Sequence, residues 1–371
     1  MEHIPISKEH WNNTHISTDE YVRQKRIELA QYIKNRKIVY LDTKYWIILR
    51  DAVTNKSNQP LDYKLLETVI QLSQNKKCIF PISEDVLIEV VKQENRALVE
   101  KIAQTIDKLS EHICLITIEE RIKLELLRYT KKVSGTEVHS LHDLAWNKIG
   151  FCLGYAIPSN TPFSKEDQTV IQKGFVDQIW NINLVDMLEI VLSGNTTFPL
   201  PKDISKPLTK GMRKHADENK SFNQLFLNEI SGGLDAYHDL FISLAEHLIY
   251  SQNNETFIVD DSTIFQSAVL IQNLVYNAFK NNTQELDLPT MHITAGLHAA
   301  LRWEKQRGYQ ANDICDFNHA ASALPYCDYF FTEKFLGTMI TQKNLAYDEL
   351  YSCKTAWKIT DAYQMLCEIN S

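Results

Sequence analysis

Short apolar runs that end in polar residues alternate with helical patterns at both ends of this chain. The runs KIVYLD (37–42), CIFPIS (78–83) and the apolar part of YCDYFFTEKF (326–335) predict short buried strands. Apolar residues at helical spacing follow the first two runs, and Ser83 fits the N-cap of the second of these helices. The order strand, helix, helix, strand, helix favours a parallel sheet covered by helices.

The middle of the chain has a different pattern, which is mainly helical. HICLITIE (112–119) fits either a strand or a buried helix segment, and SGG at 231–233 predicts a break before two long helices. The pattern of the first part returns near residue 295. We therefore predict an α/β domain built from residues 1–95 and 295–371, interrupted by a large, mainly helical insertion at 96–294.

The net charge of the chain limits how it could bind nucleic acid. The net charge of −8 gives no broad attraction to nucleic acid, so any such surface must be a local basic patch or must act through a bridging metal. The best patch is KPLTKGMRKH (206–215), and a second basic stretch is RYTKK (128–132); either also fits an ordinary solvated face. The side chains that we single out for phosphate contact are Lys206, Lys210, Arg213 and Lys214.

Cysteine usage and the absence of long apolar runs predict a cytoplasmic protein that does not enter a membrane. The seven cysteines form no C-x-x-C pair, which favours free thiols in a reducing compartment. The N-terminus lacks the pattern of a signal peptide, and no apolar run approaches the roughly 20 residues that span a bilayer.

Carboxylates lie at the ends of the predicted strands and at the starts of neighbouring helices. Parallel sheets bring such groups together at the carboxyl ends of their strands. Mg²⁺ and Mn²⁺ prefer oxygen ligands, and these ions activate water for phosphodiester hydrolysis. The acids that this arrangement makes candidates are Asp42, Glu89, Asp313, Asp316, Asp328 and Glu333.

Five of these acids also fit a purely structural role, and for Glu333 that role is an ordinary turn residue. Asp42 fits a helix cap, Glu89 a solvated helix residue, and Asp313 with Asp316 the first turn of a helix, where acids stabilise the helix dipole. Other chemistry has less support in the sequence. His139 and His142 are three residues apart, but no third metal ligand can be named beside them. Neither a G-x-S-x-G elbow nor a Walker or G-x-G-x-x-G motif occurs.

Three stretches together resemble the PIN-domain family of metal-dependent nucleases. They are KIVYLDTKYW (37–46), FPISEDVLIEV (80–90) and NDICDFNHAASALPYCDYFFTEK (312–334). In that family the first strand ends on an aspartate, which Asp42 matches. The helix after the second strand carries a glutamate, which Glu89 matches. The resemblance covers under half of the chain.

The third and fourth acids of the family have competing matches here. Asp316 fits the third best, through Asp-x-x-His-Ala-Ala-x-Ala, and Asp313 is the second choice. The fourth acid usually follows a strand and a threonine, where this chain has Thr332 and Glu333, with Glu in place of the commoner Asp. Asp328 competes for that role.

The resemblance implies a Mg²⁺- or Mn²⁺-dependent endonuclease, and it favours RNA over DNA as substrate. His319 lies one turn after Asp316 and is a further candidate for phosphate contact, beside an ordinary structural role. The acidic net charge favours a restricted substrate, and the insertion is the natural place for a protein partner that restrains the activity, as in a toxin or defence effector. The alternative is a catalytically inactive scaffold or regulatory protein that binds a partner through its helical region.

Overall fold

A computed structural model describes residues 7–136, 138–159, 161–193, 203–216, 220–252, 259–281, 287–305 and 307–370. Among them, the strands are β1 (Lys37–Leu41), β2 (Cys78–Ile79), β3 (Ile113–Leu115), β4 (Trp146–Lys148), β5 (Tyr329–Phe331) and β6 (Lys354–Ala356). The helices of the first third are α1 (Lys8–Asn12), α2 (Thr18–Ile33), α3 (Thr43–Val53), α4 (Pro60–Gln74), α5 (Glu84–Val91), α6 (Arg96–Ser110) and α7 (Ile118–Val133).

The remaining helices follow in chain order. The middle of the chain contains α8 (Leu141–Leu144), a 3-10 turn (Ile149–Phe151), α9 (Lys165–Trp180), α10 (Leu184–Ser193), α11 (Ser205–Lys214), α12 (Phe222–Ala236), α13 (His238–Gln252) and α14 (Asp261–Lys280). The last part contains α15 (Pro289–Glu304), α16 (Asp313–Ala323), α17 (Lys334–Ile340), α18 (Tyr347–Leu350) and α19 (Ile359–Asn370).

A four-stranded parallel sheet forms the centre of the fold, in the order β2-β1-β5-β6. Strand β1 pairs with β5 so that Leu41 lies opposite Phe331, which joins the two ends of the chain directly. Val39, Tyr40 and Leu41 are almost completely buried, as expected for a strand covered on both faces. The predicted α/β class with a parallel sheet and flanking helices is confirmed, and so are strands near residues 40, 80 and 330.

Two predictions for the middle of the chain are resolved. The segment that fitted either a strand or a helix contains β3, which pairs antiparallel with β4. The predicted break at SGG is wrong, because α12 runs without interruption through Ser231, Gly232 and Gly233. Buried Ile230 and Leu234 flank these residues on the helix, and their packing outweighs the low helix propensity of glycine.

A buried polar group ties the helical middle of the chain to the residues around the sheet. Glu125 on α7 is completely buried, and its carboxylate accepts hydrogen bonds from the Thr290 hydroxyl at 2.5 Å and from the Tyr326 hydroxyl at 2.9 Å. Thr290 lies in the first turn of α15, and Tyr326 lies three residues before β5. One side chain of the middle region therefore holds two elements of the C-terminal part.

Within the residues described, every helix is too short or too polar to cross a membrane.

Candidate metal centre

Asp42 lies at the carboxyl end of β1, in the middle of the sheet. Its backbone N–H donates to the carbonyl of Phe331 at 3.0 Å, which continues the pairing of β1 with β5. Its side chain is 5% exposed and accepts the backbone N–H of Tyr45 at 3.4 Å, so Asp42 is the N-cap of α3. Asp42 therefore has the capping role and also lies at the predicted edge of the sheet, since one role does not exclude the other.

The two competitors for the fourth acid lie at opposite ends of β5. Glu333 follows the strand and is the exposed N-cap residue of α17, at the same edge as Asp42. Asp328 precedes the strand. Its carboxylate accepts the backbone N–H of Ile38 at 2.8 Å and the ammonium of Lys37 at 2.7 Å. Asp328 is thus at the amino edge of the sheet, and the structure does not bring it to Asp42.

The first turn of α16 holds the two candidates for the third acid. Asp313 is buried and forms a two-pronged ion pair with Arg307, at 2.7 and 2.8 Å, and it also accepts the backbone N–H of Gln310. These three hydrogen bonds occupy the carboxylate, which fixes Arg307 and Gln310 against the start of α16. Asp316 is half-buried, and among the described residues the ion pairs of this region go instead to Asp313 and Glu89.

Asp42 and Asp316 share one electrostatic environment. The pKa of Asp316 is raised to about 7, mainly by burial and also by the charges of Glu89, Glu333 and Asp42, against the opposing effect of His319. Burial likewise raises the pKa of Asp42 to about 6, with Glu333 acting in the same direction and His319 and Thr332 against it. The three acids near this edge therefore repel one another in their charged forms.

Glu89 on α5 has a different partner. Its carboxylate lies 3.2 Å from the Nε2 atom of His319. Burial favours the neutral acid, but hydrogen bonding to His319 and the charge of that ring lower the pKa of Glu89 to about 2. His319 was a candidate for phosphate contact. It is only 1% exposed and is bonded to Glu89 and Tyr40, so this expectation is corrected: the ring lies inside the protein.

The structure adds residues that the sequence reasoning missed. Asp85 is buried one helical turn before Glu89, and it accepts the side-chain N–H of Asn318 at 3.0 Å. Cys315 lies beside Asp85, with 3.8 Å between sulfur and oxygen. The spacing of four residues between Cys315 and His319 was visible in the sequence, because such residues share one face of a helix. The search for oxygen ligands passed over the cysteine.

A basic groove lies next to the clamped Asp313. Lys206, Lys210 and Arg213 recur at intervals of four and three on α11, and they line an open groove of about 570 Å³ together with Arg307. Lys214 follows on the same helix and is exposed. The Tyr309 backbone N–H donates to the Thr209 hydroxyl at 2.8 Å, which fixes the second wall of the groove against α11.

Arg307 connects this groove to the acids. It binds Asp313, which lies one helical turn before Asp316 on α16, and its guanidinium stacks on the ring of Phe335 at 3.9 Å. Phe335 is two residues beyond Glu333. The groove therefore opens beside the carboxyl edge of the sheet.

The donor set at this edge suits a hard divalent cation. Asp42, Asp316 and Glu333 offer carboxylate oxygens, the ligands that Mg²⁺ and Mn²⁺ prefer. Burial and neighbouring acids raise the pKa values of Asp42 and Asp316, so the negative charges of these two side chains are poorly balanced within the protein. A bound cation would supply the balance, so the chemistry of these donors fits such an ion. Among the described residues, the three candidate ligands whose donor atoms lie within 4.8 Å of one another are Glu89, Cys315 and His319.

Comparisons of the chain with protein-family models, with curated proteins and with solved structures each return no match.

Proposed function

We propose that this chain is a Mg²⁺- or Mn²⁺-dependent endonuclease that hydrolyses phosphodiester bonds, with RNA as the favoured substrate. The observation that carries the proposal is the pair Asp42 and Asp316. These acids come from opposite ends of the chain, and each has a pKa raised by burial and by neighbouring acids. A protein that keeps such repulsion at a sheet edge gains from a cation that removes it.

Asp42, Asp316 and Glu333 would hold the ion, with Glu89 next to them. When bound, the ion would lower the pKa of a coordinated water and stabilise the charge of the phosphate. The chain itself supplies fixed positions for these oxygens. The Tyr45 N–H orients Asp42 at 3.4 Å, and the α16 backbone sets Asp316 one turn after the clamped Asp313.

The basic groove supports a nucleic acid as substrate. Lys206, Lys210 and Arg213 present three positive charges on one face of α11, and Arg307 lies across the groove from them. Such side chains attract a phosphate backbone without reading its bases. They would position a strand beside the carboxylates and offset the repulsion expected from the net charge of −8.

The test compares two aspartates at opposite edges of the same sheet. Wild type, Asp42→Asn and Asp328→Asn are incubated with end-labelled single-stranded RNA in Mn²⁺ and in EDTA. We expect Mn²⁺-dependent cleavage that Asp42→Asn lowers by at least about 100-fold, because loss of a direct ligand exceeds the effect of losing an outer-shell partner. Asp328→Asn should cleave as wild type does. Cleavage that survives in EDTA, or equal loss in both variants, would refute the proposal.

A second candidate function is a non-catalytic scaffold that binds a protein partner through its helical region. The observation in its favour is the pairing of Glu89 with His319, because that pair neutralises one acid of the proposed set. Calorimetry with Mn²⁺ discriminates the two functions. Heat of binding that disappears in Asp42→Asn supports the nuclease, whereas a folded wild type without Mn²⁺ binding supports the scaffold.

A further inference from the structure

Helices α5 and α16 face each other with three different donor atoms side by side. Within the part of the chain that the structure describes, one carboxylate oxygen of Glu89, the sulfur of Cys315 and one ring nitrogen of His319 lie within 4.8 Å of one another. A tetrahedral zinc ion with bonds of about 2.0–2.3 Å holds its ligand atoms roughly 3.3–3.8 Å apart. A contraction of about 1.5 Å at most would therefore close the three donors around such an ion.

The imidazole of His319 is oriented by a hydrogen bond at one ring nitrogen, as the imidazoles of metal-binding histidines commonly are. Its Nδ1 atom lies 2.7 Å from the Tyr40 hydroxyl, and that hydroxyl lies 2.6 Å from the hydroxyl of Ser83. The Ser83 hydroxyl donates in turn to Asp85 at 3.4 Å. With Nδ1 engaged in this buried chain, Nε2 is the nitrogen directed to Glu89 and Cys315. Such outer partners orient histidine ligands and fix their tautomer.

The chemistry of this donor set differs from that of the carboxylates around Asp42. Mg²⁺ takes oxygen ligands and has no preference for sulfur. A set of one thiolate, one imidazole and one carboxylate suits Zn²⁺ and its relatives, which bind such ligands tetrahedrally. Glu89 and Cys315 are half-buried rather than enclosed, so an ion can reach them from solvent.

We propose that Glu89, Cys315 and His319 form a second metal site, which takes a soft divalent cation of the zinc class. Its fourth ligand is water, so the site has three ligands from the chain. On binding, the thiol of Cys315 releases its proton to solvent, and so does any proton carried by Nε2 of His319. Zinc–sulfur and zinc–nitrogen bonds replace these bonds to hydrogen.

The site also has a regulatory consequence, which rests on the proposed nuclease function. Glu89 belongs to both donor sets, and an ion held with Cys315 and His319 adds positive charge beside Asp316. Occupancy of the second site therefore weakens binding of the catalytic ion and inhibits cleavage. Zinc would thus inhibit a nuclease whose activity depends on manganese or magnesium.

Cobalt(II) is the probe for the site itself, because a thiolate bound to Co²⁺ gives a charge-transfer band in the near ultraviolet. The full chain is titrated with Co²⁺ under reducing conditions. We expect one equivalent to produce this band together with the visible absorption of tetrahedral cobalt. Cys315→Ser should lose the charge-transfer band, while Cys367→Ser, which removes the other half-buried thiol, should keep it. A band that persists in Cys315→Ser, or no band in wild type, would overturn the proposal.

A second variant separates coordination from loss of structure. Glu89→Gln keeps the sulfur and the nitrogen, so the band should remain while cobalt affinity falls by about 10-fold or more. Circular dichroism of each variant establishes that it is folded. Unchanged cobalt affinity in a folded Glu89→Gln would remove Glu89 from the site.

The regulatory consequence is tested separately from the nuclease. If no variant cleaves RNA, the proposed nuclease fails, and the cobalt band still decides whether the second site exists. If wild type cleaves in Mn²⁺, zinc should inhibit it, and the zinc concentration for half-inhibition should rise at least about 10-fold in Cys315→Ser. Equal inhibition of wild type and Cys315→Ser by zinc would refute the proposed inhibition through the second site. Asp42→Asn should lose cleavage and retain the cobalt band.

Discussion

An aspartate lies at each edge of the central sheet, and the two carboxylates have opposite electrostatic environments. At the amino edge, the carboxylate of Asp328 accepts hydrogen bonds from the ammonium of Lys37 and from the backbone N–H of Ile38. At the carboxyl edge, Asp42 is almost completely buried, and burial and the charge of Glu333 raise its pKa to about 6. The same residue type therefore stabilises the fold at one edge and carries a poorly balanced charge at the other.

This difference teaches where chemistry is to be sought in such a sheet. A carboxylate that the protein neutralises for itself has little to offer a cation, whereas one that is buried beside other acids gains much from it. The two edges should therefore differ in their effects on cleavage, on stability and on substrate binding.

The largest contrast is in cleavage. Asp316→Asn should lower Mn²⁺-dependent RNA cleavage by more than about 100-fold, and Glu333→Gln by about 10-fold, since the exposed Glu333 is replaced more easily by water. Asp328→Asn should remain within about twofold of wild type, because Asp328 lies at the amino edge and is not one of the ligands proposed above. Initial rates at saturating Mn²⁺ measure all three. A loss in Asp328→Asn that matches Asp316→Asn would remove the distinction between the edges.

The next contrast is in stability without metal, where the two substitutions should have opposite signs. A pKa raised from 3.8 to about 6 means that ionised Asp42 destabilises the fold by up to about 3 kcal/mol at pH 8. Asp42→Asn should therefore raise the free energy of unfolding in EDTA. Asp328→Asn should lower it by less than about 1 kcal/mol, because its partner Lys37 is largely exposed. Urea unfolding measures both, and a less stable Asp42→Asn would contradict the electrostatic account.

The pH dependence sharpens the same contrast. Asp42 and Asp316 have raised pKa values, so their contribution to stability is fully present below about pH 4 and is lost as pH rises through 6 to 7. The advantage of Asp42→Asn in EDTA should therefore grow over this interval by at most about 1.4 kcal/mol per pH unit. Asp328→Asn at the amino edge is the matched control. Unfolding curves from pH 4 to 8 provide the check, and parallel profiles for the two variants would refute the assignment.

The smallest expected effect concerns substrate binding by lysines at the two edges. Lys210 lines the basic groove, whereas Lys354 begins β6 at the amino edge with its ammonium over the ring of Tyr329. Lys210→Ala should weaken RNA binding a few-fold and reduce the slope of log affinity against log salt by about 1. Lys354→Ala should leave the slope unchanged. Fluorescence anisotropy at several salt concentrations in EDTA measures both, and equal slopes in the three proteins would exclude the groove.

The sequence predicted those parts of the fold in which local pattern and burial agree. Strands β1 and β5 are apolar runs because helices cover both faces of the sheet. Strand β6, with the sequence KTA, was not predicted, since it is a short edge strand with only Ala356 buried. The glycines of α12 misled the prediction because helix propensity is a weak prior that packing overrides.

The candidate site was predictable in its residues and less so in their partners. Asp42, Glu89 and Asp316 follow from strand and helix ends. Asp328 and Glu333 lie at opposite ends of β5, and only Glu333 follows the strand at the edge where Asp42 lies. The ion pairs of Asp313 with Arg307 and of Glu89 with His319 depend on how separate elements pack, so no local pattern could reveal them. Cys315 was missed although its spacing to His319 was visible.

The direct pairing of β1 with β5 has a consequence for synthesis of the protein. Asp42 and Asp316 are roughly 270 residues apart in the chain, and ribosomes add about 5–20 residues per second. For on the order of 14–55 s, each nascent chain thus carries the first acid of its site without the third. The nuclease proposed above would therefore stay inactive toward its own messenger RNA until translation has passed α16, which carries Asp316.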